Sequence, residues 1–309
     1  MKFLKPLYLL SAVFLVLAGT TAIAKAQLPQ PLESEDTLQR VSEHVYVLVG
    51  FPNVGFVVGN RGTLVIDTGL GERNGATVVR VAQKLAKGPN LYLTNTHYHS
   101  EHTSGEQAFP LNTIIVRLAL QQDEMNKRVG AHLDVFRGMS AQNKDLLQDV
   151  KFRTADILFD REMKLDLGGV TARLFYLGAA HTSGDMLIFV QEDSVLLPGD
   201  IVQQKIFPIM PNEDSSVKNW LAILEQLQVL NPRVIVPDHG TAVTDVSEIG
   251  KERAYLLDLQ ARALELKRQG VSVDDAGKQI AAEFQNKYPG WLGAIYIPNE
   301  VKRVYEQIQ

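Results

Sequence analysis

Residues 96–102 read Thr96-His97-Tyr98-His99-Ser100-Glu101-His102 and closely follow an apolar, strand-like run over residues 91–93. Four potential metal ligands therefore fall within six residues. In a turn after a strand, alternate side chains can point the same way, so His97 and His99 can meet one ion while Glu101 and His102 reach a neighbouring position. A solvated loop with backbone-bonded histidines is the alternative, but three histidines and a carboxylate at this spacing favour a metal site.

Three further loops each carry one more candidate ligand, after an apolar run and near a glycine or proline. The ligands are His181 (run 174–177), Asp200 (run 195–197, then Pro and Gly) and His239 (run 234–236, then Pro237). Loops at strand ends are where α/β proteins place their sites. Each residue alone is equally consistent with an ordinary turn. Because they occur in the same chain as residues 97–102, the four segments together indicate a single site built from several loops.

Short strand-like runs and helical spacings alternate along the chain up to about residue 236. β-Branched and aromatic runs favour strands at 44–49, 54–58, 63–67, 91–93, 171–177, 186–190, 195–197 and 234–236. Helical spacing occurs over 74–86 and around 220–227, whereas residues 117–147 look helical but polar, as an insertion outside the core. Strands in hairpins, followed by strands alternating with helices, predict an α/β fold with a mixed sheet covered by helices.

Beyond Ser247 the pattern becomes helical only. A stop at Gly270 and basic residues in the last turn predict the end of a first helix, and residues 272–275 resemble a capping box that opens a second. A short terminal helix is expected from Pro298. The first helix carries an apolar stripe made of Leu256, Leu259, Ala263 and Leu266.

The four ligand-bearing segments resemble the signature of the metallo-β-lactamase superfamily. That signature is His-x-His-x-Asp-His, then an isolated His, an Asp after a Gly, and a His before a Gly. The resemblance runs from about His44 to Gly240 and implies an αββα sandwich with a dinuclear site at one edge. The chain then divides into a hydrolase domain over 27–246 and a C-terminal helical extension over 247–309.

The resemblance also implies a role for each candidate residue by matching position. Asp200 would bridge two metals, and Asp67, at the end of the run 64–67, matches an aspartate that orients the site. The first metal would be held by His97, His99 and His181, and the second by Glu101, His102 and His239.

Two features of this chain bear on its place within the family that it resembles. Position 101 is Glu where the family has Asp, and the absence of cysteine excludes the β-lactamases that use a cysteine ligand. The presence of both His102 and Asp200 is more similar to glyoxalase II and lactonases than to dedicated β-lactamases.

The implied activity is that of a zinc-dependent hydrolase with two ions per chain. A metal-bound hydroxide would attack a small-molecule lactam, lactone, ester or thioester, with Glu101 and Asp200 as the catalytic carboxylates. Five imidazole ligands suit zinc, with manganese or iron as the alternatives. A phosphoesterase or sulfatase on the same fold is one alternative, and an exported zinc-binding protein without catalysis is another.

Residues 1–26 have the layout of a secretory signal peptide. Lys2 and Lys5 are basic, residues 7–17 are almost wholly apolar, and residues 24–26 (Ala-Lys-Ala) form a cleavage site. The apolar run is shorter than the ~20 residues of a spanning helix, which favours cleavage over an uncleaved anchor. We therefore expect a mature protein from about Gln27, periplasmic or secreted, with no stable membrane anchor.

Charge and cysteine content narrow the function classes further. Loss of residues 1–26 removes three lysines and no acid, which takes the formal net charge from −4 to −7. An acidic chain without a basic run is a poor candidate for nucleic-acid binding. The lack of cysteine excludes disulfides, thiolate metal sites and a cysteine nucleophile.

The remaining histidines and several aromatic residues have ordinary expected roles. His44 starts a strand and His132 lies in the polar insertion, and neither has a ligand-like neighbour in sequence, so both are expected to be surface or structural residues. Tyr288, Trp291 and Tyr296 either line a substrate pocket or pack the C-terminal helices, which is the commoner role of such residues.

Overall fold

A computed structural model of the protein describes residues 33–210 and 213–307. The signal peptide and cleavage site expected in residues 1–26 lie outside the described residues. Within the described ranges, no helix combines the length and apolarity that crossing a membrane requires.

Seven strands form the first sheet, in the same order in space as in sequence. The first four pair antiparallel and the last four pair parallel. Residues 54–58 and 62–66 are buried along their whole length, because this sheet is covered on both faces. The strands are β1 (Leu38–Arg40), β2 (Val45–Leu48), β3 (Val54–Val58), β4 (Gly62–Ile66), β5 (Asn90–Thr94), β6 (Ile114–Leu118) and β7 (Ile157–Phe159).

Five strands form the second sheet, and all but one of their pairings are antiparallel. They are β8 (Glu162–Asp166), β9 (Thr171–Tyr176), β10 (Met186–Val190), β11 (Val195–Leu197) and β12 (Val234–Ile235). Their order is β12-β11-β10-β9-β8, with β11 and β12 parallel.

Helices cover the outer faces of both sheets. Leu64 and Ile66 of the first sheet pack between the sheets on Leu174 and Ile188 of the second. The opposite face of the first sheet packs on the helix over residues 71–85. The helices are α1 (Gly71–Leu85), α2 (Ser100–Thr103), α3 (Ala119–Met139), α4 (Ala141–Leu146), α5 (Val217–Leu230), α6 (Ser247–Arg268), α7 (Val273–Lys287) and α8 (Ile297–Gln307). The layers run helix, sheet, sheet, helix, which confirms the predicted αββα sandwich.

The C-terminal helices α6, α7 and α8 belong to the outer layer of the second sheet. Leu256 and Leu259 of α6 share one buried cluster with Trp220 of α5 and with Phe175 and Leu187 of the sheet. All four residues of the predicted apolar stripe are buried. The extension is therefore continuous with the hydrophobic core.

The segment over residues 117–147 differs in part from its expected form. It is helical from 119 to 146, as predicted, but residues 117 and 118 end strand β6. One face of α3, including Met125, Leu133 and Phe136, is buried, so the segment contributes to the core. Many polar residues lie between these buried positions along the chain. The buried face of α3 could therefore not be recognised from the sequence.

Candidate metal centre

All seven candidate ligands lie at the end of a strand, on the same edge of the two sheets. Residues 97–102 follow β5, and the short helix α2 begins within them at Ser100. His181, Asp200 and His239 lie in the loops after β9, β11 and β12. All seven side chains are buried, the most exposed retaining 6% of its accessible surface.

Two groups of these ligands are each compact enough for one ion, and His97, His102 and Asp200 form a third group that overlaps both. The ligand atoms of His97, His99 and His181 lie within 4.8 Å of one another, and so do those of Glu101, His102 and His239. This is the grouping that the resemblance implied.

The two oxygens of Asp200 face different sets. Its Oδ2 atom lies 3.4 Å from Nε2 of His181 and 4.0 Å from Nε2 of His97. Its Oδ1 atom lies 3.3 Å from Nε2 of His239 and 4.0 Å from Nε2 of His102. Asp200 thus has the arrangement expected of a carboxylate that bridges two ions.

The donor atoms fit a bound cation. A buried polar atom without a partner costs about 1–3 kcal/mol, and such atoms are rare in folded proteins. Three such atoms meet at Asp200 and lack a hydrogen-bond partner within the described part of the chain, namely Nε2 of His97, Nε2 of His102 and Oδ1 of Asp200 itself. Imidazole nitrogen and carboxylate oxygen are the ligands that zinc takes in proteins without thiolates.

Asp67 supports the ligands from behind. Its backbone is left-handed (φ +68°), and its carboxylate accepts the Thr96 N–H at 2.9 Å and the Nδ1–H of His102 at 3.0 Å. A proton on Nδ1 leaves the Nε2 lone pair of His102 free to face Glu101 and Asp200. Asp67 therefore orients His102, as the resemblance implied.

Asp238 is a second supporting carboxylate, which the sequence analysis did not single out. It lies 3.0 Å from the hydroxyl of Thr96 and 3.5 Å from Nδ1 of His102. Burial, together with the charge of Asp67, raises the pKa of Asp238 well above its usual value. In the sequence, its position directly before the candidate ligand His239 is the feature that could have identified it.

Burial sets the protonation of most of the imidazoles. It lowers the pKa of His97 and His99 well below the ordinary value, and neighbouring histidines add to the effect. Burial also lowers the pKa of His239 to about 4. His102 is the exception, because burial lowers its pKa but the attraction and hydrogen bond of Asp67 outweigh burial and raise it to about 10, so a cation at Nε2 would have to displace a proton. Negative charge is therefore concentrated around the second set.

The two carboxylates of the ligand sets have opposite shifts. Burial raises the pKa of Glu101 to about 7, partly offset by His102. Burial also acts on Asp200, but His239, His181 and His102 outweigh it and lower the pKa of Asp200. Asp200 is therefore the ionised carboxylate between the two sets.

A sequence model described as the metallo-β-lactamase superfamily matches residues 47–239, more than half of the chain. The chain belongs to the metallo-β-lactamase superfamily. All seven candidate ligands lie inside the match, and His239 is its last residue.

A curated relative is similar to this chain at low sequence identity. An atrochrysone carboxyl ACP thioesterase from Aspergillus novofumigatus is 24% identical over 220 residues, which are 69% of this chain and 57% of that protein. The chain thus spans little more than half of that relative. This likeness and the superfamily assignment support the prediction that the chain is a hydrolase.

Two of the similar solved structures differ in how much of this chain they cover. A metallo-β-lactamase from Pontibacter korlensis has a TM-score of 0.57 at 19% identity, covering 72% of this chain and 98% of that one. A stereoselective inverting sec-alkylsulfatase from Pseudomonas sp. has a TM-score of 0.64 at 17% identity, covering 88% of this chain and 50% of that one. Both likenesses concern the fold.

In this superfamily member the C-terminal helices also support the first ligand set. The Nδ1–H of His181 donates to the carbonyl of Ile209 at 2.5 Å. The segment before Ile209 is tied to the extension, since the N–H of Phe207 donates to Leu292 and the N–H of Leu292 donates to Lys205. The extension is therefore connected to a candidate ligand through backbone hydrogen bonds.

The aromatic residues of the extension pack against one another. The rings of Tyr288 and Trp291 lie 5.1 Å apart, and Trp291 lies within 5.5 Å of Phe207 and Tyr255. Of the two expected roles, packing is therefore the one that Tyr288 and Trp291 have.

The two remaining histidines have different environments. His44 is paired with Asp193 at 2.8 Å, outside the metal centre. His132 of α3 is mostly buried and stacks on the candidate ligand His99 with ring centroids 3.9 Å apart. Of the two expected roles, surface or structural, His132 has the structural one, because α3 folds over α2 and brings together residues that are 33 positions apart.

Gly199 lets Asp200 approach the rest of the centre. Its φ of +61° is left-handed, and a Cβ atom there would lie 2.9 Å from Cβ of Thr96. A side chain at position 199 would therefore push the Asp200 carboxylate away from the residues that follow β5.

Proposed function

We propose that this protein is a zinc-dependent hydrolase that holds two ions per chain. The observation that carries the proposal is the position of Asp200, whose two oxygens each face a different set of buried imidazoles. A carboxylate in this position stabilises two cations at once. The proposed ligands are His97, His99 and His181 for the first ion and Glu101, His102 and His239 for the second, with Asp200 between them.

Zinc held by these residues lowers the pKa of water to about 7 and polarises a carbonyl group. The protein's own residues prepare the site for that chemistry. Asp67 fixes the ring of His102, and the Ile209 carbonyl fixes the ring of His181, so that a lone pair of each faces the centre. Asp200 carries negative charge there. Because the ligands are almost fully buried, few of these contacts are weakened by bulk water.

The proposed substrates are small molecules with a hydrolysable acyl bond, namely lactams, lactones, esters and thioesters. The thioesterase relative supports a thioester or ester within this class. The chain has no cysteine, so a thiol nucleophile is excluded.

Sulfate-ester or phosphate-ester hydrolysis is a second candidate. It is favoured by coverage: two sec-alkylsulfatase structures cover 87% and 88% of this chain, whereas two metallo-β-lactamase structures cover 72% and 74%. The additional coverage amounts to more than a tenth of this chain. The same ligand sets would suit an acyl, a sulfate-ester or a phosphate-ester substrate. The two candidates are therefore distinguished by which substrates the protein hydrolyses.

A substrate panel tests the proposal. Zinc-loaded protein is assayed on a thioester, an aryl ester, a lactone, a β-lactam, a sec-alkyl sulfate and a phosphate monoester. His181→Ala and Asp200→Ala should each abolish most turnover, because one removes a ligand and the other the bridge. His44→Ala, whose partner Asp193 lies outside the centre, is the matched control.

Each outcome of the panel is informative. Turnover of an acyl substrate that both site variants lose supports the proposal, and turnover of the sulfate or phosphate alone supports the second candidate. Zinc binding without any turnover favours a non-catalytic zinc-binding protein. Near-native activity in both site variants would refute the proposed centre.

A further inference from the structure

Asn53 lies in the turn between β2 and β3 and joins it to the His239 loop (residues 237–241). The N–H of Gly50 donates to Oδ1 of Asn53 at 3.0 Å. A backbone N–H can only donate, so this bond identifies the side-chain oxygen and leaves the NH2 group facing the loop. That group donates to the carbonyl of Pro237 at 2.7 Å and to the carbonyl of Thr241 at 3.2 Å. Both amide hydrogens of Asn53 are therefore used, one on each side of His239.

The backbone of Asn53 contributes a third bond to the same loop. Its N–H donates to the carbonyl of Asp238 at 2.6 Å. Asn53 retains only 2% of its accessible surface, so water has little access to these bonds. The carbonyls of residues 237, 238 and 241 are thus all held by one buried residue of the opposite sheet.

Gln204 holds the far side of the His239 loop. Its Oε1 atom accepts the N–H of Thr241 at 3.2 Å and the hydroxyl of Thr241 at 2.7 Å, and both bonds are exposed. Its backbone N–H lies 3.4 Å from the carbonyl of His239, which is long for an N–H···O bond. Hydrogen bonds in the protein interior are electrostatically stronger than those in contact with water. Asn53 is therefore the stronger of these two anchors of the loop.

The orientation of the His239 ring depends on its loop more than is the case for two other candidate ligands. His102 and His181 each have a hydrogen bond at Nδ1, which fixes the ring. Nδ1 of His239 is buried and has no hydrogen-bond partner among the described residues. The His239 ring packs instead on the ring of Phe51, with centroids 4.6 Å apart. Phe51 lies in the turn that Asn53 closes, so Asn53 holds both the loop and the ring that packs on it.

We infer that Asn53 is a positioning residue of the metal centre, which joins the His239 loop to the turn of Phe51 and so keeps Nε2 of His239 directed at Asp200. That nitrogen lies 3.3 Å from Oδ1 of Asp200. Zinc–nitrogen distances are confined to about 2.0–2.1 Å, so a small displacement of the loop weakens the binding of an ion there. The inference rests on the proposed binding of two ions, because His239 is a proposed ligand of the second ion only.

Two variants separate the hydrogen bonds of Asn53 from its packing. Asn53→Leu keeps the branched shape of the side chain but donates nothing to the loop. Asn53→Ala also donates nothing, and it leaves a space. Replacing a residue that orients a metal ligand typically changes metal affinity by about 10–100-fold. We therefore expect both variants to weaken the second zinc ion by about that factor and to leave the affinity for the first ion close to that of the unmutated protein.

The experiment measures the two stepwise zinc affinities of the full chain by competition with a chromophoric chelator. Asn74→Leu is the matched control, because Asn74 of α1 is also a buried amide and donates to the carbonyl of Leu70 at 2.9 Å. Thermal unfolding of the metal-free proteins verifies that each variant is folded and measures the stability that it loses. A merely structural role of Asn53 would lower the melting temperature, as in Asn74→Leu, without a selective loss of the second ion.

Several results would overturn the inference. They are native affinity for the second ion in the Asn53 variants, losses of equal size for the two ions, or the same selective loss in Asn74→Leu. A loss in Asn53→Ala that is absent from Asn53→Leu would also overturn it, because the effect would then come from packing. These results leave the dinuclear proposal intact if the unmutated protein binds two ions. If the unmutated protein binds fewer than two, the proposed function fails first and the inference fails with it.

Discussion

Replacing Asp67 with asparagine should weaken the binding of the second zinc ion without disturbing the fold. Asparagine tolerates the left-handed backbone of this position (φ +68°). Its amide oxygen can still accept the N–H of Thr96, which now lies 2.9 Å from the carboxylate. Its NH2 group, however, would face the Nδ1–H of His102, so that two donors oppose each other.

The size of the effect follows from the tautomer of His102. The imidazole can accept the new amide only by moving its proton to Nε2, which removes the lone pair now facing Glu101 and Asp200. Changing the partner of a metal-binding histidine costs about 10–100-fold in metal affinity, which corresponds to about 1.4–2.7 kcal/mol. The first ion should lose less, because Asp67 makes no hydrogen bond to its ligands among the described residues.

Chelator competition gives both stepwise affinities, and the chain offers a matched control. Asp193→Asn changes another Asp–His pair, with His44 at 2.8 Å, that lies outside the metal centre. Native affinity for both ions in Asp67→Asn would refute the reasoning. So would a loss of the same size in Asp193→Asn, since that loss could not come from His102.

Three further predictions concern the fold. Gly199→Ala should lower the free energy of unfolding by about 1–3 kcal/mol, measured by urea denaturation, because its Cβ would lie 2.9 Å from Thr96 in a left-handed position. Burial raises the pKa of Glu33 from 4.5 to about 8. The folded chain therefore binds the extra proton between those values and loses stability as pH rises through them, so Glu33→Gln should raise the melting temperature more at pH 8 than at pH 5. A chain ending at Val246 should show no cooperative unfolding by circular dichroism, because it would expose Trp220 and the cluster around it.

The candidate ligands could be proposed from the sequence because they lie in local motifs, whereas their division into two sets came from the family resemblance. Residues 97–102 are contiguous, and His181, Asp200 and His239 each follow an apolar run that ends at the same edge of the sheets. The carboxyl ends of strands that run in the same direction lie at the same edge of a sheet, which holds for the parallel strands β11 and β12 and for β9 and β11, each antiparallel to β10. The long buried strands β3, β4 and β10 were equally visible, because continuous apolar runs are their direct consequence.

Of the four strands that the sequence analysis missed, β1, β7 and β8 are short or exposed, whereas β6 has five residues of which four are buried. β1 is three residues with no buried side chain, and β8 buries only Leu165 of its five residues. A strand with one covered face and few apolar residues has no clear alternation to detect. Such strands form because a neighbouring strand supplies the hydrogen bonds, and that neighbour cannot be identified from local sequence.

The supporting residues of the centre depended on tertiary structure. Asp67 and Asp238 are 171 positions apart, yet both lie beside Thr96. His132 is on a helix whose polar composition suggested a surface role, and only the packing of α3 over α2 brings it to His99. Residues that orient ligands need no fixed spacing in sequence, so their identification required the structure.

The most direct test of the dinuclear centre adds zinc stepwise to metal-free protein while hydrolysis of a substrate from the panel is followed. Native mass spectrometry of the same samples counts the ions bound to each chain. The proposed function predicts uptake of two ions and a rate that reaches its maximum at two equivalents of zinc. Protein that takes up no zinc, or that hydrolyses the substrate equally fast before and after zinc is added, would contradict it.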